Sequence, residues 1–329
     1  MSGQFQAYQI GKSDEGQRCV LTQLSDSDLM EGDVTVDVEY TTLNYKDGLA
    51  LTGRSPIIRK FPLTPGIDFS GTVSESSHSG FSAGDRVILN GFGVGEGHSG
   101  GYAQKARVSG DWLVALPEGL DTRHAMAIGT AGYTAMLSIM ALEDHGINPG
   151  DGDILVTGAS GGVGSVAVAI LNRLGHRVVA ATGRMNEKEF LMGLGAADVL
   201  DRADFAEKAR PLGKELWAGA IDVAGGNTLA NVLSQLKYGG AAAICGLAES
   251  MNLPTTVAPF ILRGISMYGI DSVNAPISKR KIAWQRLASD LDLDLLDSLS
   301  FDLDFADLPQ AAEDILAGKI RGRAVVKVP

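Results

Sequence analysis

Cysteine is nearly absent: Cys19 and Cys245 are the only two in 329 residues, so neither a disulfide framework nor a multi-cysteine zinc site can be built. A reduced, cytoplasmic compartment fits that usage. Positive charge is short as well. The chain has 28 Lys and Arg against 39 Asp and Glu, a net charge of -11, which argues against a general binder of nucleic acid while leaving room for a local basic pocket. The stretch Met1 to Ile10 has no cationic region before an apolar run, and no 18-residue apolar run follows, so neither export nor a membrane span is expected. Glycine, by contrast, is abundant at 42 residues, well above the usual share of roughly 7%, and implies many turns or close backbone approaches. The length suggests about two domains.

Residues 1 to about 125 carry short alternating or β-branched runs, such as Val34-Thr35-Val36-Asp37-Val38 and Arg86-Val87-Ile88-Leu89, punctuated by Gly and Pro. They read as strand-rich, irregular sequence. From Asp153 the pattern changes to an apolar strand, a glycine loop, a small-residue helix over 163–174 and a second apolar strand at 177–181. The alternation continues through 197–200, 218–223, 241–245 and 266–270, for which a parallel sheet is the economical answer. Helices are expected over 276–290 and 309–317. The run 322–328 reads as a terminal strand able to join the N-terminal sheet, and the Asp-rich stretch 290–307 as a packed surface segment rather than an acidic tail.

Thr157-Gly158-Ala159-Ser160-Gly161-Gly162-Val163-Gly164 lies between the first apolar strand and the helix. Free amides and the positive end of a helix can hold a pyrophosphate there, which makes Ser160, Gly161, Gly162, Val163 and Gly164 candidate dinucleotide contacts. The Gly-Lys-Ser/Thr ending of a nucleotide-triphosphate loop is missing. Where an NAD-preferring fold places an acid at the end of the second strand, this chain has Thr182-Gly183-Arg184. Thr182 offers a hydroxyl and Arg184 a rigid donor fork for an adenosine 2′-phosphate, with Lys188 as a looser assistant, so NADPH is expected over NADH. The competing reading of Arg184 is a solvated turn. Arg202 could line the adenine or phosphate side, or make a surface ion pair. Leu247 follows the fifth expected strand at the end where dinucleotides lie, and backbone groups around Ser272 could meet the nicotinamide carboxamide. Cys245 reads as core rather than nucleophile.

In the first half, Asn44-Tyr45-Lys46-Asp47 forms a dense polar cluster. Tyr45 could donate a proton or hydrogen-bond an electron-rich substrate oxygen, with a buried structural tyrosine as the competing reading. Asn44 could orient substrate or the cofactor amide, and Asp47 could orient Lys46 or a distant arginine. The run Gly66-Ile67-Asp68 supplies neither the soft nor the imidazole ligands of a catalytic zinc, and His78 and His98 stand isolated in Ser/Gly-rich segments. No metal site is expected.

These residues resemble the medium-chain dehydrogenase/reductase superfamily in its zinc-free, quinone-oxidoreductase-like branch, close to the bacterial acrylyl-CoA reductase group. The resemblance is carried by Leu43 to Asp47, Pro65 to Phe69, Gly91 to Glu96, Thr130 to Met136, Gly158 to Gly164, Thr182-Gly183-Arg184, Leu253 to Val257 and Gly322-Arg323. It implies an α/β, bilobal enzyme: a GroES-like, β-rich catalytic domain over 1–125, a Rossmann-type NADPH-binding domain over 126–270, and a C-terminal return over 271–329. It also implies a homodimer that reduces acryloyl-CoA to propionyl-CoA with NADPH, hydride going to the β-carbon and a proton to the α-carbon. Reduction of a quinone or another activated enone is the alternative. Tyr45 is the implied catalytic and cofactor-contacting residue, supported by Asn44 and Asp47. Zinc-binding relatives carry Gly-His-Glu near 66–68 and an early cysteine ligand, and this chain departs from both. Arg323 could orient Asp47 or an acidic part of the substrate, or be a surface residue of the last strand.

Overall fold

The computed structural model describes residues 3–14 and 16–329. Among them the strands run β1 (Gln4–Ser13), β2 (Gly16–Ser25), β3 (Val34–Leu43), β4 (Asp68–Ser76), β5 (Arg86–Asn90), β6 (Lys105–Val108), β7 (Val114–Ala115), β8 (Asp153–Thr157), β9 (Val178–Thr182), β10 (Asp198–Asp201), β11 (Trp217–Asp222), β12 (Leu236–Ile244), β13 (Ser266–Gly269), β14 (Ser300–Leu303) and β15 (Arg323–Lys327). Three helices matter most here: α1 (Tyr45–Thr52), α2 (Thr122–His145) and α3 (Gly162–Arg173). The chain divides into two compact units. One comprises residues 1–130, 272–288 and 296–329, the other residues 131–271 and 289–295.

In the first unit β1 and β2 form an antiparallel hairpin, and a second sheet runs β14-β15-β3-β4-β5-β7 with β6 also paired to β3. The C-terminal strand β15 lies antiparallel to β3, with Ala324 opposite Leu43. Its burial explains that placement: Arg323 to Val326 are all enclosed. The unit's core gathers Val34, Val36, Phe69, Val87, Leu89, Tyr102, Leu308 and Val326. The Asp-rich stretch is packed rather than a tail, forming a short helix Leu293–Ser298 and then β14, which pairs parallel with β15.

The second unit is a parallel sheet in the order β10-β9-β8-β11-β12-β13. In chain order that is 3-2-1-4-5-6, the doubly wound arrangement in which dinucleotides lie outside the carboxyl ends of the strands where the order reverses, here between β8 and β11. Its inner strands β8, β9 and β11 are short, apolar and buried on both faces, as β9 (Val-Val-Ala-Ala-Thr) shows. Leu155, Val179, Ala220, Val232, Leu236 and Ala242 form the core beside it.

Helix α2, which the sequence pattern did not single out, is apolar enough to cross a membrane by length and composition. Its most apolar window is 94% buried within the protein, as a core helix would be. A break at Gly129 (φ 51, ψ -160) divides it.

Candidate functional site

The first polar centre is built around the start of α1. Asn44 precedes that helix in an extended conformation, and Asp47 returns to it in a reciprocal capping arrangement. Asp47 Oδ2 accepts from the Asn44 backbone N–H at 2.9 Å and from its Nδ2 at 3.1 Å, while Oδ1 accepts from the Ile67 N–H at 2.9 Å. Asn44 Nδ2 also donates to Asp68 Oδ2 at 3.1 Å, and its Oδ1 accepts from Arg323 Nη1 at 3.3 Å. Both amide hydrogens of Asn44 are therefore engaged, so its side chain fixes the helix start and has no donor left for a substrate. Asp47 is fully enclosed and acts through Asn44.

Arg323 is 2% exposed, which removes the surface-arginine alternative. Its Nη2 donates to Thr42 Oγ1 at 2.9 Å and its Nε to the Ala127 carbonyl at 2.9 Å. Asp68 Oδ2 accepts from the Thr130 N–H at 2.7 Å. The cation thus meets a carbonyl left on one side of the Gly129 break, and the acid an amide on the other, the groups that interrupted helices leave unsatisfied. Only glycine fits at the break. A Cβ there would sit 2.4 Å from Arg323 Nη2 and 3.0 Å from Asp68 Oδ2, on top of the positive φ. Burial, and then the neighbouring Asp68, pushes the Asp47 carboxyl up to about 7. Asp68 is likewise raised by burial, against the pull of Arg323.

Tyr45, the first residue of α1, stands 52% exposed, which excludes the buried structural tyrosine. Its hydroxyl has no hydrogen-bond partner among the described residues. Lys46 does not pair with Asp47: its Nζ meets Glu96 Oε1 at 2.8 Å.

Arg280, fully buried and absent from the sequence-based candidates, organises a second part of this unit. It donates to the carbonyls of Asn90 (2.6 Å), Ser272 (2.8 Å), Val273 (2.7 Å) and Ala275 (3.0 Å). It also lies 4.2 Å over the ring of Phe92, a residue at φ 52. Ser272 therefore groups with the first unit, its carbonyl held by Arg280. A charged residue inside a polar helix pattern gave no signal of this.

The second unit brings most of the proposed cofactor residues together. Ser160 and Thr182 hydroxyls are 2.8 Å apart. Arg184 folds back on them: its Nε donates to Ser160 Oγ at 3.1 Å, its Nη2 to the Ser160 carbonyl at 2.9 Å, and its backbone N–H to Thr182 Oγ1 at 3.1 Å. Thr182 is buried, so it orders Ser160 and Arg184 from beneath. Arg202 joins from the end of β10, its guanidinium so close that a Cβ on Gly183 would lie 3.1 Å from Cζ. Lys188 begins a short helix, Lys188–Gly193, and is exposed.

The glycine loop has the shape a pyrophosphate requires. Gly161 caps α3 with no side-chain bond, leaving the first amides at Gly162 and Val163 open to a ligand. Gly164 permits close helix–strand packing, because a Cβ there would be 2.5 Å from the Gly158 carbonyl oxygen. Asp222, also missed from sequence, anchors the loop's base: its Oδ1 accepts from Thr157 Oγ1 and its Oδ2 from the Gly225 N–H, each at 2.7 Å. Burial pushes it up to about 6. Leu247 is 58% exposed beyond β12. Burial raises the Cys245 thiol to about 12, a poor nucleophile at neutral pH. Open amides, a cationic fork and no acid at the end of β9 fit a phosphorylated dinucleotide.

Among the described residues no three His, Cys, Asp or Glu side chains gather to hold a metal. His78 faces Asp111 at 3.3 Å, and His98 lies 3.1 Å from the Glu31 carbonyl. Asp68 is committed to Asn44 and Thr130.

The zinc-binding dehydrogenase family matches residues 162–289 and the alcohol dehydrogenase GroES-like domain matches residues 30–118. The acrylyl-CoA reductase AcuI of Ruegeria pomeroyi is 52% identical over 98% of this chain and 99% of that protein. The yhdH oxidoreductase from Salmonella enterica, solved in complex with NADP, is 52% identical with a TM-score of 0.97, covering 98% of this chain and all of that one. The Bacillus subtilis protein yhfP, solved with NAD bound, is 43% identical with a TM-score of 0.95 over 99% of this chain and all of that one. With its GroES-like and Rossmann-type units, and with no metal-holding cluster among the described residues, the chain belongs to the AcuI/YhdH-like group in the quinone-oxidoreductase-like branch of the medium-chain dehydrogenase/reductase superfamily.

Proposed function

We propose that this protein is an NADPH-dependent oxidoreductase that reduces acryloyl-CoA to propionyl-CoA. The observation that carries the reading is the Ser160–Thr182–Arg184 network at the end of β9, set in a chain that is 52% identical to an acrylyl-CoA reductase along nearly its whole length. Gly161, Gly162, Val163 and Gly164 hold the pyrophosphate, Ser160 and Arg184 the phosphorylated ribose, with Thr182 and Gly183 shaping that end. Arg202 and Leu247 flank the adenosine side. When bound, NADPH supplies the hydride that the β-carbon of the acceptor receives.

The chain's own part is electrostatic. Charge building on the thioester oxygen is met by the Tyr45 hydroxyl, which is preorganised by the Asn44–Asp47 cap and has its donor unspent. Asn44 and Asp47 are positioning residues in this account, held in turn by Arg323. Donation from that hydroxyl stabilises the enolate, which then takes a proton at the α-carbon. No metal is needed to polarise the carbonyl.

A homodimer belongs to the same reading. Its support is β13, which carries exposed Met267 and among the described residues pairs with β12 alone, at one edge of the parallel sheet, an edge that a second copy can extend. A cytoplasmic location is supported by the two free thiols.

NADPH oxidation with matched acryloyl-CoA, crotonyl-CoA and quinone acceptors, with the product identified, tests the assignment. Propionyl-CoA should form and acryloyl-CoA should be the preferred acceptor. Strong quinone turnover without acryloyl-CoA turnover refutes it and leaves a quinone reductase.

A further inference from the structure

We propose that Arg59 and Lys60, with Lys46 behind them and Phe61 beside them, form the site that receives the phosphate-bearing nucleotide of coenzyme A. The inference rests on the acyl-CoA reading above and specifies where the non-reacting bulk of that substrate is held. An acryloyl group is small, so most of the substrate's recognisable chemistry is its phosphorylated adenosine. An anion of that size approaching a chain of net charge -11 needs a local region of opposite sign.

Residues 40–67 provide it. This stretch carries Lys46, Arg54, Arg59 and Lys60 but a single acid, Asp47, and that acid is fully enclosed. Arg54 is committed to Glu313. Of the remaining three cations, Lys46 and Arg59 lie over one buried carboxylate. Glu96, whose side chain is 8% exposed, takes Lys46 Nζ on Oε1 at 2.8 Å and Arg59 Nη2 on Oε2 at 3.1 Å. The Arg59 backbone N–H also donates to the Glu96 carbonyl at 2.7 Å, so segment 57–60 is tied to this acid by main chain and side chain together. One carboxylate beneath two cations leaves an outward positive excess. Arg59 keeps 71% of its side chain in solvent, and Lys60 is exposed with no ion pair among the described residues.

Two further features suit a nucleotide over a bare anion. Phe61 is 38% exposed, and the Lys12 ammonium lies 5.8 Å from its ring centroid. An aromatic face among cations is the combination that stacks a base while phosphates are neutralised nearby. Lys46 directly follows Tyr45 on α1, so the group assigned to the thioester and the first cation of the patch share one rigid helix start. Arg59 lies one ion pair further out through Glu96, an order matching a substrate whose phosphates trail its acyl end.

The test compares acryloyl-CoA with S-acryloyl-N-acetylcysteamine, a thioester that lacks the nucleotide. In the unsubstituted protein the ratio of kcat/KM for the two should fall as salt rises. Lys60→Glu and the double variant Arg59→Gln/Lys60→Glu should lower that ratio, the double variant by about tenfold, the loss expected for charge-assisted contacts at an exposed site. Calorimetry with adenosine 3′,5′-bisphosphate should show binding to the unsubstituted protein and at least several-fold weaker binding to the double variant. A ratio and a bisphosphate affinity unmoved by both substitutions, in proteins that still reduce the truncated thioester, overturn this site alone. Reduction of neither thioester by the unsubstituted protein overturns the reaction, and this site with it.

Discussion

Replacing Arg184 by alanine separates phosphate recognition from loop damage, because NADH shares every part of NADPH except the 2′-phosphate. In the structure the guanidinium spends Nε and Nη2 on the Ser160 hydroxyl and carbonyl. Removing it therefore does two things: it deletes a cation at the ribose end, and it takes two donors from a residue of the glycine loop. The second effect falls on both cofactors equally. Ser160 keeps its 2.8 Å contact with Thr182, and whatever the loop loses with its two bonds to a charged donor is shared by both cofactors and cancels in their ratio. The first falls on NADPH alone. A half-buried, charge-assisted contact to a phosphate contributes roughly 1.5–3 kcal/mol, which corresponds to an increase of about 10- to 150-fold in Kd. Titration of each cofactor by calorimetry or nicotinamide fluorescence reads both quantities. We expect the NADPH Kd to rise by at least about tenfold more than that for NADH. Equal losses for the two would mean that Arg184 only braces Ser160, and the assignment of the phosphate to the end of β9 would be wrong.

Tyr45→Phe should lower kcat by about tenfold or more, as expected when an oxyanion donor is lost, with thermal stability unchanged because the exposed hydroxyl makes no internal bond; unchanged turnover would remove it from the reaction. Arg323→Met strands Asn44 Oδ1 and the Ala127 carbonyl, takes one of two partners from Thr42 Oγ1 and leaves buried Asp68 without its cation, a loss of about 3–5 kcal/mol for a broken buried charge network. A denaturant midpoint close to that of the unsubstituted protein would refute the account, and Arg323→Lys should recover only part of the loss, since one ammonium cannot reach acceptors spread around a fork. Asp222 titrates higher in the folded protein, at about 6, than its ordinary 3.8, so its contribution is fully present below about pH 4 and is lost as pH rises toward 6. The size is roughly 3 kcal/mol. Asp222→Asn should flatten that part of the stability profile, and an unaltered slope in urea midpoints between pH 4 and 6 would count against the buried carboxyl.

The cofactor half of the site was legible because its chemistry is local. A strand, a glycine turn and a helix are consecutive in the chain, and Thr182-Gly183-Arg184 closes the next strand, so sequence order nearly dictates spatial order. The first-unit centre was half legible. Asn44, Tyr45 and Asp47 stood out as neighbours, yet Asp68 and Arg323 reach them through pairings of β3 with β4 and β15, across 24 and 279 positions respectively from Asn44. Arg280 and Asp222 escaped notice because each is defined by the backbone groups it satisfies, and a lone charged residue in a helix or at a strand end does not announce those.

What the sequence determined by itself was the alternation that forces a parallel sheet and the glycine turn, free of lysine, between its first strand and helix; periodicity and residue type act within a few turns of chain and survive translation into three dimensions. Which charges are buried, which amide is already spent, and which tyrosine faces solvent were decided only by tertiary structure. Desolvation and hydrogen-bond satisfaction depend on everything packed around a group, and in this fold the neighbours of Asn44 and Asp68 include residues from opposite ends of the chain.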